Sequence, residues 1–251
     1  MKIEVWSDVV CPWCGLGKYR LDKALRRFEH HADVELIHRS FVLDPNLPEG
    51  AEVSVRTFLG RKHGLNLGQI ETGTRELEAL ATREGLGPYI VLDNKIASTI
   101  PAHEFLAYAS TQGKNGEAWN RMFHAYFAEA RSIFTTDGLL DLASEMRLDR
   151  GEAKRALQSR EFRQQVLDET HHAQRSGARG VPFALVDGRY GISGAQDADT
   201  LLISLQKIWN DSRPSASTNG VDRTPMCGSD GCVLPPADEP RSAADEEKNR
   251  R

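Results

Sequence analysis

Two cysteines near the amino terminus are the residues best suited to chemistry. They stand in Cys11-Pro12-Trp13-Cys14, directly after a short apolar stretch. A thiolate rather than a thiol attacks a disulfide, so this chemistry needs a cysteine whose negative charge is stabilised. A helix amino terminus supplies unpaired N–H groups and the positive end of the helix dipole. Because proline suits the first helical position, Pro12 places Cys11 where a strand gives way to a helix.

The spacing of the two cysteines assigns a role to each. Cys14 lies one helical turn beyond Cys11 and on the same side. The Cβ atoms are then about 5–6 Å apart, and a disulfide has about 3.5–4.5 Å, so a small adjustment closes the ring. We predict that Cys11 is the attacking thiol and that Cys14 resolves the mixed disulfide. Pro12 and Trp13 are assigned to substrate binding, although a simple cap on the helix end is the alternative for Trp13.

The other two cysteines form a second close pair, Cys227 and Cys232, near the carboxyl terminus. Two local pairs indicate redox chemistry or metal binding rather than a disulfide framework. The four sulfurs could serve as a zinc site, but a Cys-x-x-Cys pair beside a strand–helix–strand pattern favours redox chemistry. The second pair is therefore interpreted as redox-active, with two accidental thiols or a local disulfide as alternatives. No metal and no cofactor is predicted.

Hydrophobic periodicity predicts the elements that position these residues. A strand, a helix and a second strand within about 40 residues are the length of a βαβ unit. The spacing of apolar residues then becomes helical, and Asp149 with Glu152 predicts a capped helix start. Asp187-Gly188 is a strong hairpin turn between two later strands. By range, the prediction is strand 2–8, helix 12–30, strand 34–41, several helices within 50–177, strands 181–186 and 189–194, and helix 197–210.

Several segments together resemble the FrnE-like branch of the DsbA family. The resemblance covers about residues 1–210, with its motifs in the same order. It implies an α/β, thioredoxin-like fold with a large helical insertion. Residues 1–45 and 178–212 would form the thioredoxin-like domain and 46–177 the insertion. Residues 213–251 are rich in Pro, Ser, Gly, Asp and Arg, and this composition predicts a flexible tail that is mostly disordered. The matching segments are Ser7-Asp8-Val9-Val10-Cys11-Pro12-Trp13-Cys14, Phe41-Val42-Leu43-Asp44-Pro45, Ala125-Tyr126-Phe127, Gly180-Val181-Pro182-Phe183 and Ser193-Gly194-Ala195-Gln196.

The resemblance also implies further site residues. Pro182 would be cis and would face the cysteine pair, and the backbone of Val181 would pair with a substrate chain. In FrnE-like proteins a carboxyl-terminal pair such as Cys227 and Cys232 can exchange with the first pair. Periplasmic DsbA proteins have a histidine between the cysteines where this chain has Trp13, so their strongly oxidising character is not expected here. The glutathione transferases and isomerases of similar shape lack the full cysteine pair, which favours disulfide exchange for this chain.

Composition limits the remaining function classes. The chain has 251 residues, a net charge of −4 and 39% hydrophobic residues, so neither a nucleic-acid partner nor a membrane partner is predicted. The amino terminus lacks the pattern of a signal peptide, and a cytoplasmic location is predicted. The expected partners are protein thiols and disulfides or small thiols. Two alternatives are a metal-binding stress protein and a small-molecule enzyme, either glutathione-dependent or of a polyketide pathway.

Overall fold

The computed structural model describes residues 1–213. Beyond them it describes only the backbone of two short strands, 227–228 and 231–232. A 3₁₀ turn at His31–Asp33 follows the first helix, and a π-helical turn at His124–Ala128 continues the fifth. In chain order the elements are β1 (Lys2–Ser7), α1 (Pro12–Arg27), β2 (Glu35–Ser40), β3 (Val53–Ser54), α2 (Val55–His63), α3 (Leu67–Arg83), β4 (Lys95–Ile96), α4 (Ile100–Thr111), α5 (Asn115–Phe123), α6 (Thr136–Glu145), α7 (Arg150–Ser159), α8 (Arg163–Arg175), β5 (Phe183–Val186), β6 (Tyr190–Ser193), α9 (Ala198–Ser212), β7 (Cys227–Gly228) and β8 (Gly231–Cys232).

A four-stranded mixed sheet with the order β2-β1-β5-β6 carries the site. β1 runs parallel to β2 and antiparallel to β5, and β5 and β6 form a hairpin. In the turn of this hairpin Asp187 has φ 51° and Gly188 has φ 67°. Positive φ at both central residues is what a two-residue hairpin turn needs, so the predicted turn is confirmed. The strand–helix–strand unit that begins the chain is likewise confirmed.

Alternate side chains of the sheet pack against different helices. Ile3 and Val5 on β1 join a buried cluster with residues of α1 and α9 on one face. Trp6 points to the other face, where its indole Nε1 donates to the backbone oxygen of Glu169 at 2.9 Å. Ala173 of α8 belongs to the buried cluster around that indole. Both faces of the sheet are therefore covered, and β1 is held rigidly up to the start of the cysteine motif.

The helices between β2 and β5 form a bundle beside the sheet. α4 is its central member and is buried from Ala102 to Ala109, because it packs against α5, α7 and α8. The largest buried cluster of the protein joins these helices to Cys14 and Leu16 of α1. A thioredoxin-like α/β fold with a helical insertion is thus confirmed, and the exact boundaries of the predicted domains stay a prediction.

Three local features differ from the sequence-based expectation. α1 ends at Arg27 rather than at residue 30, because Phe28 leaves the helix with φ −75° and ψ 123°. The paired strands β3 and β4 were not predicted, since two residues are too few to show alternation. The π-helical turn was not predicted either. The predicted tail, 213–251, lies outside the described residues except for Arg213 and the two strands β7 and β8.

The outer edge of β2 is closed by side chains of the insertion. The Asn115 side chain accepts from the backbone N–H of His38 at 2.9 Å, and it donates to the carbonyl of the same residue at 2.9 Å. The Glu169 carboxylate accepts from the backbone N–H of Ser40 at 2.7 Å. These bonds take the place of a neighbouring strand. They satisfy backbone N–H and C=O groups at the outer edge of β2 and fix the insertion to the sheet.

Asn115→Ala tests this edge contact. The change leaves one N–H and one C=O of β2 without their partner, and we expect the free energy of unfolding to fall by about 2 kcal/mol. Urea denaturation followed by circular dichroism measures the loss. Asn120→Ala is the matched control, because Asn120 is an exposed residue of the same helix. Equal urea midpoints of unfolding for the two variants would show that the edge contact does not stabilise the protein.

Candidate active site

Cys11 occupies the amino-terminal cap of α1, as predicted. Its backbone has φ −79° and ψ 113°, and its carbonyl accepts from the N–H of Cys14 at 2.9 Å. Its own N–H donates to the carbonyl of Asp8 at 3.1 Å, which fixes the loop that follows β1. The first turn of α1 contains no acidic residue. The positive end of the helix dipole therefore acts on the Cys11 sulfur without an opposing carboxylate in that turn.

The two thiols differ in access. Both are free cysteines, but Cys11 is 7% exposed and Cys14 is fully buried at 0%. Cys11 is therefore the more accessible of the two, whereas the Cys14 sulfur meets only groups of the protein.

Burial raises the pKa of the Cys14 thiol well above its ordinary value. A hydrogen bond with the Cys11 sulfur and the charge of that sulfur act in the same direction, whereas the backbone N–H of Asp8 lowers the Cys14 pKa. Cys14 consequently keeps its proton. The attacking role of Cys11 and the resolving role of Cys14 stay predictions.

The Val181-Pro182 segment lies against the cysteine pair. The peptide bond between these residues is cis, as the resemblance implied. The Cys11 thiol donates to the carbonyl of Val181 at 3.7 Å, a distance suited to sulfur. Pro182 itself is buried and approaches α1 at Gly17, where a Cβ atom would lie 2.9 Å from the proline Cγ. The structure therefore brings four of the predicted site residues together: Cys11, Cys14, Val181 and Pro182.

Trp13 and Pro12 form the outer surface of the motif. Trp13 is 46% exposed, a large fraction for an indole, and Pro12 is half-buried. The Pro12 carbonyl accepts from the hydroxyl of Tyr89, a buried residue of the insertion. Trp13 therefore offers an apolar surface beside the accessible thiol, while Tyr89 holds the turn that carries it.

A cavity of about 270 Å³ lies beside α1, one turn below Cys11. Gly15 and Lys18, which line it, share the helix face of Cys11 because they follow it by four and seven residues. The loop at Pro88 and the π-helical turn close the other sides. Its remaining walls are mostly aromatic and apolar; the full lining is Gly15, Lys18, Tyr19, Asp22, Leu86, Gly87, Pro88, Tyr89, Asn120, Phe123, His124, Phe127 and Ala128.

Sequence reasoning missed several residues that shape the site. Gly15 and Gly17 let α1 approach the insertion on one side and Pro182 on the other, since a Cβ at either position would collide with these neighbours. The signal was the pair of glycines inside a predicted helix, where glycine is otherwise unfavourable. Asp8 and His103 are also buried here. No local pattern indicated them, because they come from different elements.

The second cysteine pair is described only through its backbone. β7 and β8 pair antiparallel, with Cys227 opposite Cys232. The side chains of both residues lie outside the described part of the chain, so their predicted exchange with Cys11 and Cys14 stays a prediction. Among the residues that the structure describes, no group of three or more histidine, cysteine, aspartate or glutamate side chains could hold a metal ion.

Gly17→Ala tests the contact between α1 and Pro182. The added Cβ would push Pro182 away from the cysteines, and we expect slower disulfide exchange together with a loss of about 1–3 kcal/mol in unfolding free energy. An insulin-reduction assay and urea denaturation measure the two effects. Gly73→Ala in α3 is the control, since its Cβ would meet nothing within 4 Å. An unchanged rate of disulfide exchange in Gly17→Ala would show that exchange does not need the close approach of α1 to Pro182.

Known proteins share this architecture. The family model described as DSBA-like thioredoxin domain matches residues 2–206. The chain is 28% identical over 199 residues to an uncharacterized protein, YwbO, of Bacillus subtilis, covering 78% of this chain and 92% of that protein. It is 35% identical to a probable DsbA oxidoreductase from Streptomyces coelicolor, with a TM-score of 0.80 over 94% of this chain and 100% of that one.

A more distant likeness concerns the fold alone. The structure of a cytosolic disulfide reductase, DsbM, from Pseudomonas aeruginosa is 18% identical with a TM-score of 0.58, covering 84% of this chain and 99% of that one.

Across the described residues, no helix combines the length and apolar character that crossing a membrane requires. The match over most of the sequence and the Cys11/Cys14 geometry lead to one identification: the chain belongs to the DSBA-like thioredoxin domain family, as a DsbA-like thiol–disulfide oxidoreductase.

Proposed function

We propose that this protein exchanges disulfides through Cys11 and Cys14, acting on protein thiols and disulfides or on small thiols. One observation carries the proposal. Cys11, the more accessible of the two cysteines, stands at a helix amino terminus, and the buried Cys14 thiol, whose pKa burial raises, lies one turn further into the helix. A nucleophile with a resolving thiol directly behind it is the arrangement that two-step disulfide exchange needs.

The proposed exchange consists of two steps that can reduce or oxidise the substrate. To reduce a substrate, the Cys11 thiolate attacks one sulfur of the substrate disulfide, and the other substrate sulfur leaves as a thiolate. Cys14 then attacks Cys11, which releases the second substrate thiolate and forms the Cys11–Cys14 disulfide. Oxidation of a substrate dithiol runs through the same steps in reverse. The net direction depends on the reduction potential of the pair relative to that of its compartment.

Substrate would lie across Trp13 and Val181. The exposed indole provides an apolar contact for a polypeptide near the reacting sulfur. The Val181 carbonyl accepts from the Cys11 thiol in the dithiol state. Once Cys11 has joined a disulfide, this carbonyl can accept an N–H from a substrate chain instead. These two contacts support a polypeptide substrate.

The cavity beside α1 favours small thiols as a second class of substrate. It follows the helix face of Cys11, and its lining combines aromatic rings with the ionic pair of Lys18 and Asp22, which are 2.8 Å apart. The DsbM protein of similar fold has also been solved with glutathione. A glutathione-dependent reaction at this site is therefore the second candidate. The predicted cytoplasmic location fits either substrate, because glutathione keeps most thiols reduced there.

We also propose that Cys227 and Cys232 form a second redox pair that exchanges with the first. The segment from Arg213 to Met226 follows α9 directly. The antiparallel pairing of β7 and β8 supports the proposal, because it sets the two cysteines opposite each other.

Single cysteine variants test the assigned roles. Cys14→Ala should accumulate mixed disulfides at Cys11, since no resolving thiol remains, and Cys11→Ala should lose activity completely. Intact-mass spectrometry after mixing with oxidised insulin or with glutathione disulfide measures the adducts, and a comparison of the two disulfides separates the two substrate classes. Adducts in Cys11→Ala but not in Cys14→Ala would reverse the assignment.

Removal of the tail tests the second pair. Truncation after Ser212 should leave the reactivity of Cys11 intact and slow turnover in a coupled assay, because α9 is kept and the relay is lost. The full-length chain with Cys227→Ser and Cys232→Ser is the matched control and should be slowed to the same extent. Turnover at the full-length rate with every reductant would exclude a relay.

A further inference from the structure

One hydroxyl group of the helical insertion contacts the turn that carries both cysteines. It belongs to Tyr89, which lies in the loop between α3 and β4 and is 6% exposed. The hydroxyl donates to the carbonyl of Pro12, the residue that follows Cys11. Gly15 adjoins the same hydroxyl, because a Cβ atom at that position would collide with it. The Tyr89 hydroxyl therefore packs directly into the first turn of α1.

The same hydroxyl oxygen also meets a backbone N–H of α1. Burial raises the pKa of Tyr89 well above its ordinary value, and negative charge on either cysteine of the motif raises it further. The backbone N–H of Leu16 faces the hydroxyl and acts on this pKa in the opposite direction. The hydroxyl therefore stays protonated and remains a donor for Pro12. Pro12 and Leu16 are four positions apart, the spacing of a helical hydrogen bond, so Tyr89 contacts both groups of one such bond.

The insertion holds Tyr89 in place from two sides. Its ring stacks on that of Phe127 in the π-helical turn, with the centroids 4.6 Å apart and 21° between the planes. The N–H of the next residue, Ile90, donates to the Phe127 carbonyl at 2.7 Å. The N–H of Val91 donates to the Glu78 carboxylate of α3, also at 2.7 Å. These contacts fix the position of the hydroxyl against which the cysteine turn packs.

The contact between Tyr89 and Pro12 belongs to the reduced form of the motif. Both Cys11 and Cys14 are free thiols in the structure. Formation of their disulfide draws the two Cβ atoms from the helical spacing of about 5–6 Å to about 3.5–4.5 Å. Pro12 lies between the cysteines, so its carbonyl moves with this contraction while Tyr89 is held in place. The hydroxyl therefore bonds best to Pro12 in the dithiol form.

We propose that Tyr89 is a positioning residue whose hydroxyl stabilises the dithiol form of the Cys11–Cys14 pair and thereby makes the pair more oxidising. The proposal rests on the proposed disulfide exchange of these cysteines and adds a determinant of its direction. A pair whose reduced form is stabilised has a higher reduction potential. The insertion thus acts on the redox balance of the site through one hydrogen bond to the backbone of α1.

The equilibrium with glutathione measures this potential. Oxidation of the pair forms the Cys11–Cys14 bond and breaks the S–S bond of glutathione disulfide. The two electrons and two protons of the protein thiols pass to the glutathione sulfurs, which leave as two thiols. Full-length protein carrying Cys227→Ser and Cys232→Ser, which confines the reaction to the first pair, is equilibrated in mixtures of glutathione and glutathione disulfide. Acid quenching, alkylation of free thiols and intact-mass spectrometry then give the oxidised fraction.

Tyr89→Phe in this parent protein is the main test. The change keeps the ring on Phe127 and removes only the hydroxyl. The net contribution of one hydrogen bond corresponds to about a fivefold change in an equilibrium constant. We therefore expect the equilibrium constant for oxidation by glutathione disulfide to rise about fivefold, which is about 20 mV towards a more reducing potential. An unchanged potential, or a shift in the opposite direction, would overturn the proposal.

Tyr126→Phe is the matched control. Tyr126 is 2% exposed, and its hydroxyl also donates to a backbone carbonyl, that of Lys95, at 2.7 Å. The change therefore removes the same kind of bond within the insertion and leaves the contact with α1 intact. It should lower the free energy of unfolding in urea about as much as Tyr89→Phe does, and it should keep the parent potential. An equal shift of the potential in both variants would overturn the specific role of Tyr89.

Gly15→Ala reaches the same contact from the side of α1. The added Cβ displaces the Tyr89 hydroxyl and should shift the potential in the same direction as Tyr89→Phe. In the double variant the hydroxyl is absent, so the two shifts should not add. Additive shifts would contradict a shared contact. If Tyr89→Phe does not fold, Gly15→Ala decides, and the parent potential in that variant overturns the proposal.

The outcomes distinguish this inference from the proposed function. A parent protein that forms no Cys11–Cys14 disulfide in any glutathione mixture would overturn the proposed function itself. A parent that forms this disulfide, with Tyr89→Phe at the same potential, would overturn only the role of Tyr89.

Discussion

The site depends on the close packing of the first turn of α1 against its neighbours on two sides. This turn carries both cysteines and is held between Pro182 on one side and Tyr89 with Phe127 on the other. Gly15 and Gly17 permit both contacts, since any larger residue would push the turn outwards. This close packing buries Cys14 completely and leaves Cys11 partly exposed, at 7%.

The helical insertion therefore contributes to the site as well as to the fold. Its residues share one buried cluster with Cys11 and Cys14, and its edge contacts through Asn115 fix it to β2. Tyr89 and His103, two of its residues, reach the motif and the buried Asp8 carboxylate. Without the insertion, the side of Cys14 that these residues cover would be open to water.

Burial gives the two cysteines different chemistry. They are only three positions apart in sequence, but burial raises the pKa of the Cys14 thiol well above its ordinary value. The two cysteines therefore differ in exposure, which is the property on which their predicted roles depend. The helix dipole acts on the outer sulfur, and desolvation acts on the inner one.

The sequence by itself determined the local features of this protein. The cysteine pair at a strand–helix junction, the hairpin turn at Asp187 and the strand–helix–strand start all follow from spacing, turn chemistry and periodicity, which are properties of neighbouring residues. Only the tertiary structure decided which distant groups meet these residues. Asp8 and His103 are 95 positions apart, and no local pattern encodes a contact between a loop after β1 and a helix of the insertion. α4 and the start of α1 contribute to one buried cluster, and burial of their apolar residues brings the two polar groups together.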